Sequence, residues 1–264
     1  MSVKTVQAIV NGQTVNLSYN SSTGRYEATI TAPGKSSYSQ SGHYYDVTVR
    51  ATDDANNTST ADASHSTLGS SLQLRVKERV APVLAIIYPT ASALITNNKP
   101  SITWTVTDDD SGVNPSTIGV TIDSGSKITG DSISKTAISG GYKCTYTPGT
   151  ALADGSHTIK VDASDYDGNA ASQKSVTFKI DTVPPTLSVT SPADGFVTNQ
   201  AACNVQGTTN DLTSSPVSVT VKLNNGNAEA ATVASNGSWS KTITLVEGTN
   251  TITVVATDSC LLYT

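Results

Sequence analysis

The chain has 264 residues, of which 36% are hydrophobic, 5% aromatic and 14% charged, and its formal net charge is −5. That length suits two or three small domains, and no run approaches the roughly 18 apolar residues of a membrane helix, so a membrane span is excluded. The acidic balance opposes nucleic acid as a partner, because affinity for a phosphate backbone comes from clustered Lys and Arg.

The opening Met1-Ser2-Val3-Lys4 lacks the apolar stretch of a signal peptide. The first predicted strand, Val6-Gln7-Ala8-Ile9-Val10, runs into Asn11-Gly12, where glycine supplies the positive φ of a tight hairpin. Further on come Gly24-Arg25-Tyr26-Glu27-Ala28-Thr29-Ile30, a Ser-rich segment over 34–42 flanked by Tyr38, Tyr44 and Tyr45, and a strand Val47-Thr48-Val49-Arg50-Ala51-Thr52-Asp53. That last segment recurs as Ile159-Lys160-Val161-Asp162-Ala163-Ser164-Asp165 and again as Ile252-Thr253-Val254-Val255-Ala256-Thr257-Asp258. A second repeat links Val80-Ala81-Pro82-Val83-Leu84 with Val183-Pro184-Pro185-Thr186-Leu187, Pro82 and Pro185 lying 103 residues apart. A third pairs Asn11-Gly12 and Tyr26 with Asn225-Gly226 and Trp239. Repeats at this period mean tandem structural units. Apolar residues alternate within every unit, the period of a strand with one buried face, and no stretch sustains a helical period. The expected architecture is all-β: three antiparallel sandwiches over 1–79, 80–181 and 182–264, entered through X-Pro segments that favour extended backbone.

The last unit reads as incomplete, and the first either starts incomplete or has a different topology. The first unit starts at a strand usually third in such a sandwich. The last stops at Asp258-Ser259-Cys260-Leu261-Leu262-Tyr263-Thr264, where its counterpart continues from Asp165 through Asp167-Gly168-Asn169 into a closing strand. An open edge there is expected to recruit a strand from a partner.

With Asp110-Ser111-Gly112-Val113 in its second unit, and Val205-Gln206-Gly207-Thr208, Gly237-Ser238-Trp239-Ser240 and Glu247-Gly248-Thr249-Asn250-Thr251 in its third, the chain resembles bacterial immunoglobulin-like (Ig-like) domain arrays. The third unit is similar to the module found as domain B of glucodextranase. The whole resembles Ig-like repeat proteins encoded beside phage tail genes of gut Firmicutes. The resemblance implies Ig-like sandwiches that space or display something at a virion or bacterial cell surface, with surface glycans or neighbouring surface proteins as partners.

Clustered carboxylates are the candidate chemistry. Ca²⁺ takes six to eight oxygen ligands, and Asp108, Asp109, Asp110, Asp165, Asp167 and Asp181 lie in loops or at a linker. For Asp165-Tyr166-Asp167-Gly168-Asn169 the competing reading is a turn stabilised by Asx hydrogen bonds, since Val176 stands where an EF-hand places its bidentate Glu. Calcium-stiffened joints are expected at Asp181 and at Asp108 to Asp110. Trp239, Tyr26 and Tyr44 are candidate sugar-stacking rings, with partial burial against the sandwich the competing reading for Trp239 and Tyr26, whereas Trp104, alternating with Ile102 and Val106, reads as core. No catalytic constellation emerges. His43, His65 and His157 are scattered, and His43 and His157 read as equivalent positions at a strand entry. Cys144, Cys203 and Cys260 form no disulfide framework and read as free thiols.

Overall fold

The computed structural model describes residues 2–264 and is built of strands and short 3₁₀ turns. The second unit is the complete sandwich. One sheet orders β11 (Ser134–Ile138), β12 (Gly141–Tyr146), β9 (Ile102–Thr107) and β7 (Val83–Tyr88); the other orders β10 (Val113–Ile122), β13 (Gly155–Asp165), β14 (Lys174–Ile180) and β8 (Leu94–Ile95). This is the two-sheet pairing of an Ig-like constant domain. Alternation in the sequence makes it so: β9 buries Ile102, Trp104 and Val106 and turns Thr103, Thr105 and Thr107 outward. β13 likewise buries Ile159, Val161 and Ala163, which meet Phe178 and Ile180 of β14 across one continuous core. Trp104 is wholly inaccessible, as its place in the alternation requires.

The third unit repeats the first of these sheets as β15 (Thr186–Ser191), β16 (Ala202–Asn210), β20 (Ser238–Thr244) and β19 (Thr232–Val233). Against it lie β18 (Ala228–Ala230), β17 (Ser218–Leu223) and β21 (Ile252–Thr257). β21 pairs with β17 on one side. On its other side the chain folds back through a single bridge from Thr257 to Tyr263.

In the first unit the topology differs from that of the other two, one of the two alternatives its atypical start left open. β1 (Val3–Val10), β2 (Gln13–Asn20), β3 (Arg25–Glu27), β4 (Tyr45–Asp53) and β5 (Thr58–Ala61) form one sheet in the order β3-β2-β1-β4-β5, with β6 (Gln73–Leu74) paired to the start of β4. Asn11 and Gly12, both at positive φ, close the β1–β2 hairpin and set Val10 opposite Gln13. No second sheet packs on this one among the described residues, and Val10 and Tyr45 are the apolar residues it fully buries. A lone sheet can bury one face only partly, which leaves most of this unit's apolar residues half-buried.

The expected equivalence of His43 and His157 does not hold. The shared segment ending in Asp53 and Asp165 aligns His157 with Tyr45, both buried inward-facing residues, while His43 sits two residues earlier in a 3₁₀ turn at φ 60°. The alternation carries the inward position to Tyr45, and strand alternation rather than proximity decides equivalence.

Candidate cation sites at the two joints

Three carboxylates converge at each junction between units. At the first joint Glu78 arrives from the segment between β6 and β7, Asp108 follows β9 and Asp165 ends β13; one oxygen of each lies within 4.8 Å of the others. At the second joint Asp181 follows β14, Asp211 follows β16 and Asp258 follows β21, again within 4.8 Å of one another. The two triplets use the same three places in the fold: the entry to a unit and the ends of two of its strands. The repeat puts them there, Asp108 and Asp211 being 103 residues apart, as are Glu78 and Asp181.

Local backbone geometry explains the aim of each side chain. Asp108 folds back to accept from the Asp110 and Gly112 amides through Oδ1, at 3.1 and 2.7 Å. Asp165 accepts from the Asn169 amide and from Asn169 Nδ2 at 2.7 and 2.6 Å. At the second joint Asp211 Oδ1 accepts from Thr213 and Ser214, both at 2.7 Å, and Asp258 Oδ1 accepts from Cys260 and Leu262 at 2.7 and 2.9 Å. These are Asx turns; Asp108, Asp211 and Asp258 make theirs through Oδ1 alone, whereas Asp165 accepts through both of its oxygens. In the 165–169 loop Asp165 closes the turn, as the Asx reading expects, and one of its oxygens also lies within 4.8 Å of Glu78 and Asp108.

Electrostatically the clusters are uncompensated. No ion pair among the described residues includes a member of either triplet. Burial raises the Glu78 carboxyl above the ordinary range, the Ser111 hydrogen bond opposes this, and Asp108 and Asp110 push it further up. Asp181 Oδ2, Asp258 Oδ2, Ser111 Oγ and Ser214 Oγ are buried with no hydrogen-bond partner. Buried polar atoms are ordinarily paired, and oxygen donors lacking protons to bond are the complement of a hard divalent cation. The residues present fit Ca²⁺: three carboxylates per joint, with a buried unpartnered serine hydroxyl three residues from Asp108 at the first and from Asp211 at the second.

The sequence-expected ligands divide. Asp108, Asp165 and Asp181 are cluster members. Asp109 is exposed and enters the joint through its backbone carbonyl, which accepts from Lys35 Nζ at 3.2 Å. Asp110 and Asp167 are committed to protein donors: Asp110 Oδ1 accepts from the Ser36 amide at 2.9 Å, and Asp167 Oδ2 accepts from Ser36 Oγ at 2.6 Å and the Glu78 amide at 3.0 Å. They correct the expectation of a ligand run, because adjacent residues in a loop point different ways and only Asp108 turns inward. Sequence reading missed Glu78, Asp211 and Asp258. Carrying the 103-residue offset from Asp108 finds Asp211, and Asp258 closes the thrice-repeated segment that Asp165 also closes.

The three candidate sugar-binding rings do not form one site. Trp239 is 2% exposed and packs among Val205, Val219 and Val221, so no ligand reaches its face, and the expectation for it is overturned by β20 alternation. Tyr26 on β3 is exposed and pairs with Tyr19 of β2, centroids 5.3 Å apart. Tyr44 is half-buried against Gly42.

Residues 90–182 match the family model described as bacterial Ig-like domain, and residues 185–261 match that of glucodextranase, domain B. Bacillopeptidase F of Bacillus subtilis (strain 168) is 33% identical over 114 residues, which are 43% of this chain and 7% of that protein, so the chain spans a small part of this curated relative. Among solved structures, the tetra-tandem repeat in the extending region of a large adhesion protein is 22% identical, covering 98% of this chain and 63% of that one at TM-score 0.37. Titin domains I67–I69, as an E-to-A variant, are 12% identical, covering 97% and 83% at TM-score 0.45. The fibronectin(III)-like modules of Clostridium thermocellum CbhA are 19% identical, covering 69% and 88% at TM-score 0.37.

Proposed function

We propose that this array of bacterial Ig-like modules is a non-enzymatic spacer that carries something away from a bacterial cell or virion surface, with calcium bound at its joints. The observation that carries the reading is the repetition of one carboxylate triplet at both junctions, with buried unpartnered oxygens nearby in sequence, Ser111 Oγ at the first and Asp181 Oδ2, Asp258 Oδ2 and Ser214 Oγ at the second. A structural core has no use for three converging carboxylates, which repel one another unless a cation lies between them. A cation there draws together a linker residue and two loop residues of the next unit, so binding energy becomes resistance to bending.

Calorimetric titration of chelator-treated protein with Ca²⁺ tests the reading. Saturable binding near two ions per chain is expected, along with a melting temperature that rises with ion concentration, as for any ligand selective for the folded state. Absence of binding heat together with identical melting in millimolar Ca²⁺ and in chelator overturns it. Weak adhesion to glycans is a second reading, favoured by the exposed Tyr19–Tyr26 pair; loss of saturable glycan binding on Tyr26→Ala supports it, and no binding across a glycan panel removes it.

A further inference from the structure

We infer that the two joints depend on the cation differently: protein contacts fix the first, while the second closes only around a divalent cation held by Asp181, Asp211 and Asp258, which makes the array a rod with one cation-gated elbow. This rests on the calcium reading above and deepens it.

Seven side-chain hydrogen bonds cross the first joint. Lys35 Nζ donates to the Asp109 carbonyl, the Ser36 amide to Asp110 and Ser36 Oγ to Asp167. Lys77 Nζ donates to the Asp167 carbonyl at 3.4 Å, the Glu78 amide to Asp167, the Ser111 amide to Glu78 Oε1 at 2.7 Å, and Asn169 Nδ2 to the Glu78 carbonyl at 3.2 Å. Two separate segments of the first unit, 35–38 and 77–78, therefore grip the second. The ring of Tyr38 adds a stacked contact on Tyr166. Lys35 and Lys77 also bring positive charge to the acidic loops. A joint so fastened keeps its geometry with no ion.

The second joint has none of this. Among the described residues, no hydrogen bond connects residues up to Asp181 with residues from Thr186 onward. No lysine or arginine pairs with its carboxylates. What it has instead is unspent coordinating capacity: Asp181 is 1% exposed, Ser214 2% and Asp258 4%, and Asp181 Oδ2, Ser214 Oγ and Asp258 Oδ2 all lack partners. At the first joint Ser111 Oγ is the one such atom. The substitutions between repeats account for the difference. Cys260 stands where Asp167 receives Ser36 and Glu78, Leu262 where Asn169 reaches Glu78, and Thr213 two residues past Asp211 where Asp110 receives Ser36. With no ion, Asp181 from one unit faces Asp211 and Asp258 of the next in a poorly solvated space, and like charges there drive the units apart. With an ion, the same three groups become the bond between them.

Spin-label distance measurements on the full chain test this. In a Cys260→Ser background that retains calorimetric Ca²⁺ binding, with Cys144 and Cys203 buried, labels at Ser18→Cys and Lys143→Cys span the first joint. Labels at Lys143→Cys and Thr242→Cys span the second. Chelator is expected to broaden the second distribution at least twofold and millimolar Ca²⁺ to narrow it again, while the first keeps its width in both. Asp211→Asn, or Asp181→Asn should the former not fold, is expected to leave the second joint broad in Ca²⁺. Ion binding with a second joint equally narrow in chelator, or with both joints broadening alike, overturns this inference and leaves the calcium reading standing. No ion binding by calorimetry overturns both.

Discussion

Tyr38 of the first unit stacks on Tyr166 of the second, ring centroids 4.1 Å apart and 11° from parallel, and the His43 imidazole covers the Tyr38 ring at 4.2 Å. A face built from one ring of each unit buries apolar area only when the units keep their mutual orientation. Tyr38→Ala is therefore expected to weaken the first joint by about 0.5–1.5 kcal/mol, the range for aromatic pairs beyond simple area burial. Limited proteolysis of the 75–82 linker reads the change, and faster cleavage than in the parent chain is the expected result.

Glu78 gives that joint a pH dependence. Burial first, then Asp108 and Asp110, raises its pKa in the folded chain above the ordinary value of 4.5. An acid with a raised folded pKa is favoured by its protonated form, so in chelator its cost is absent below pH 4.5 and is incurred as pH rises through the folded value. Glu78→Gln is expected to raise the melting temperature in chelator at pH 7 and to change it little at pH 4. In Ca²⁺ the order reverses, because the variant removes a ligand. Thermal melts at both pH values, with and without the ion, check this.

His157 changes stability with pH in the same direction, but as a gain at low pH rather than a cost at high pH. Its burial lowers the pKa, but the Ala153 carbonyl accepts from Nε2 at 2.7 Å, Asp123 accepts from Nδ1 at 2.9 Å, and the net shift is upward from 6.5. Two acceptors on one ring ask for the doubly protonated imidazolium. The stabilisation is then complete below pH 6.5 and is lost as pH rises through the folded pKa. Asp123→Asn is expected to flatten the stability profile of the second unit between pH 6 and 8, as followed by denaturant titration.

Gly207 makes a steric prediction. A Cβ placed there would lie 1.8 Å from the Ser188 carbonyl oxygen and 2.8 Å from the Trp239 ring, so β15, β16 and Trp239 can close only over a glycine. Gly207→Ala is expected to destabilise the third unit by about 1–3 kcal/mol, the usual cost of overpacking a core. Gly149→Ala, whose Cβ meets nothing within 4 Å, serves as the control and is expected to leave the melting temperature unchanged or slightly higher.

The thiols should separate cleanly. Burial pushes the Cys144 pKa up to about 11, and Cys260 is half-buried at the second joint. Since the thiolate is the reacting species, a thiol reagent at pH 8 is expected to label Cys260 first and Cys144 only after unfolding. Peptide mapping of labelled native protein checks the order, and early modification of Cys144 would contradict the packing of β12 on β9.

The sequence alone determined the sheet content and the tandem plan. Alternation at Ile102, Trp104 and Val106 needs only the two-residue period of a strand to be legible, and glycines after Asn mark hairpins by their φ requirement. The repeated segments also carried the equivalence of Asp165 with Asp258. The tertiary structure decided which carboxylates meet. Glu78, Asp108 and Asp165 are separated by dozens of residues and approach because two strands end at the same edge of a sandwich where a linker enters. Neighbouring Asp109 and Asp110 turn elsewhere, since loop side-chain direction follows φ/ψ values that composition does not encode. Trp239 and Tyr26 look alike in sequence, each following a turn glycine. A second sheet covers Trp239 and none covers Tyr26, and burial is a property of what packs against a strand rather than of the strand itself.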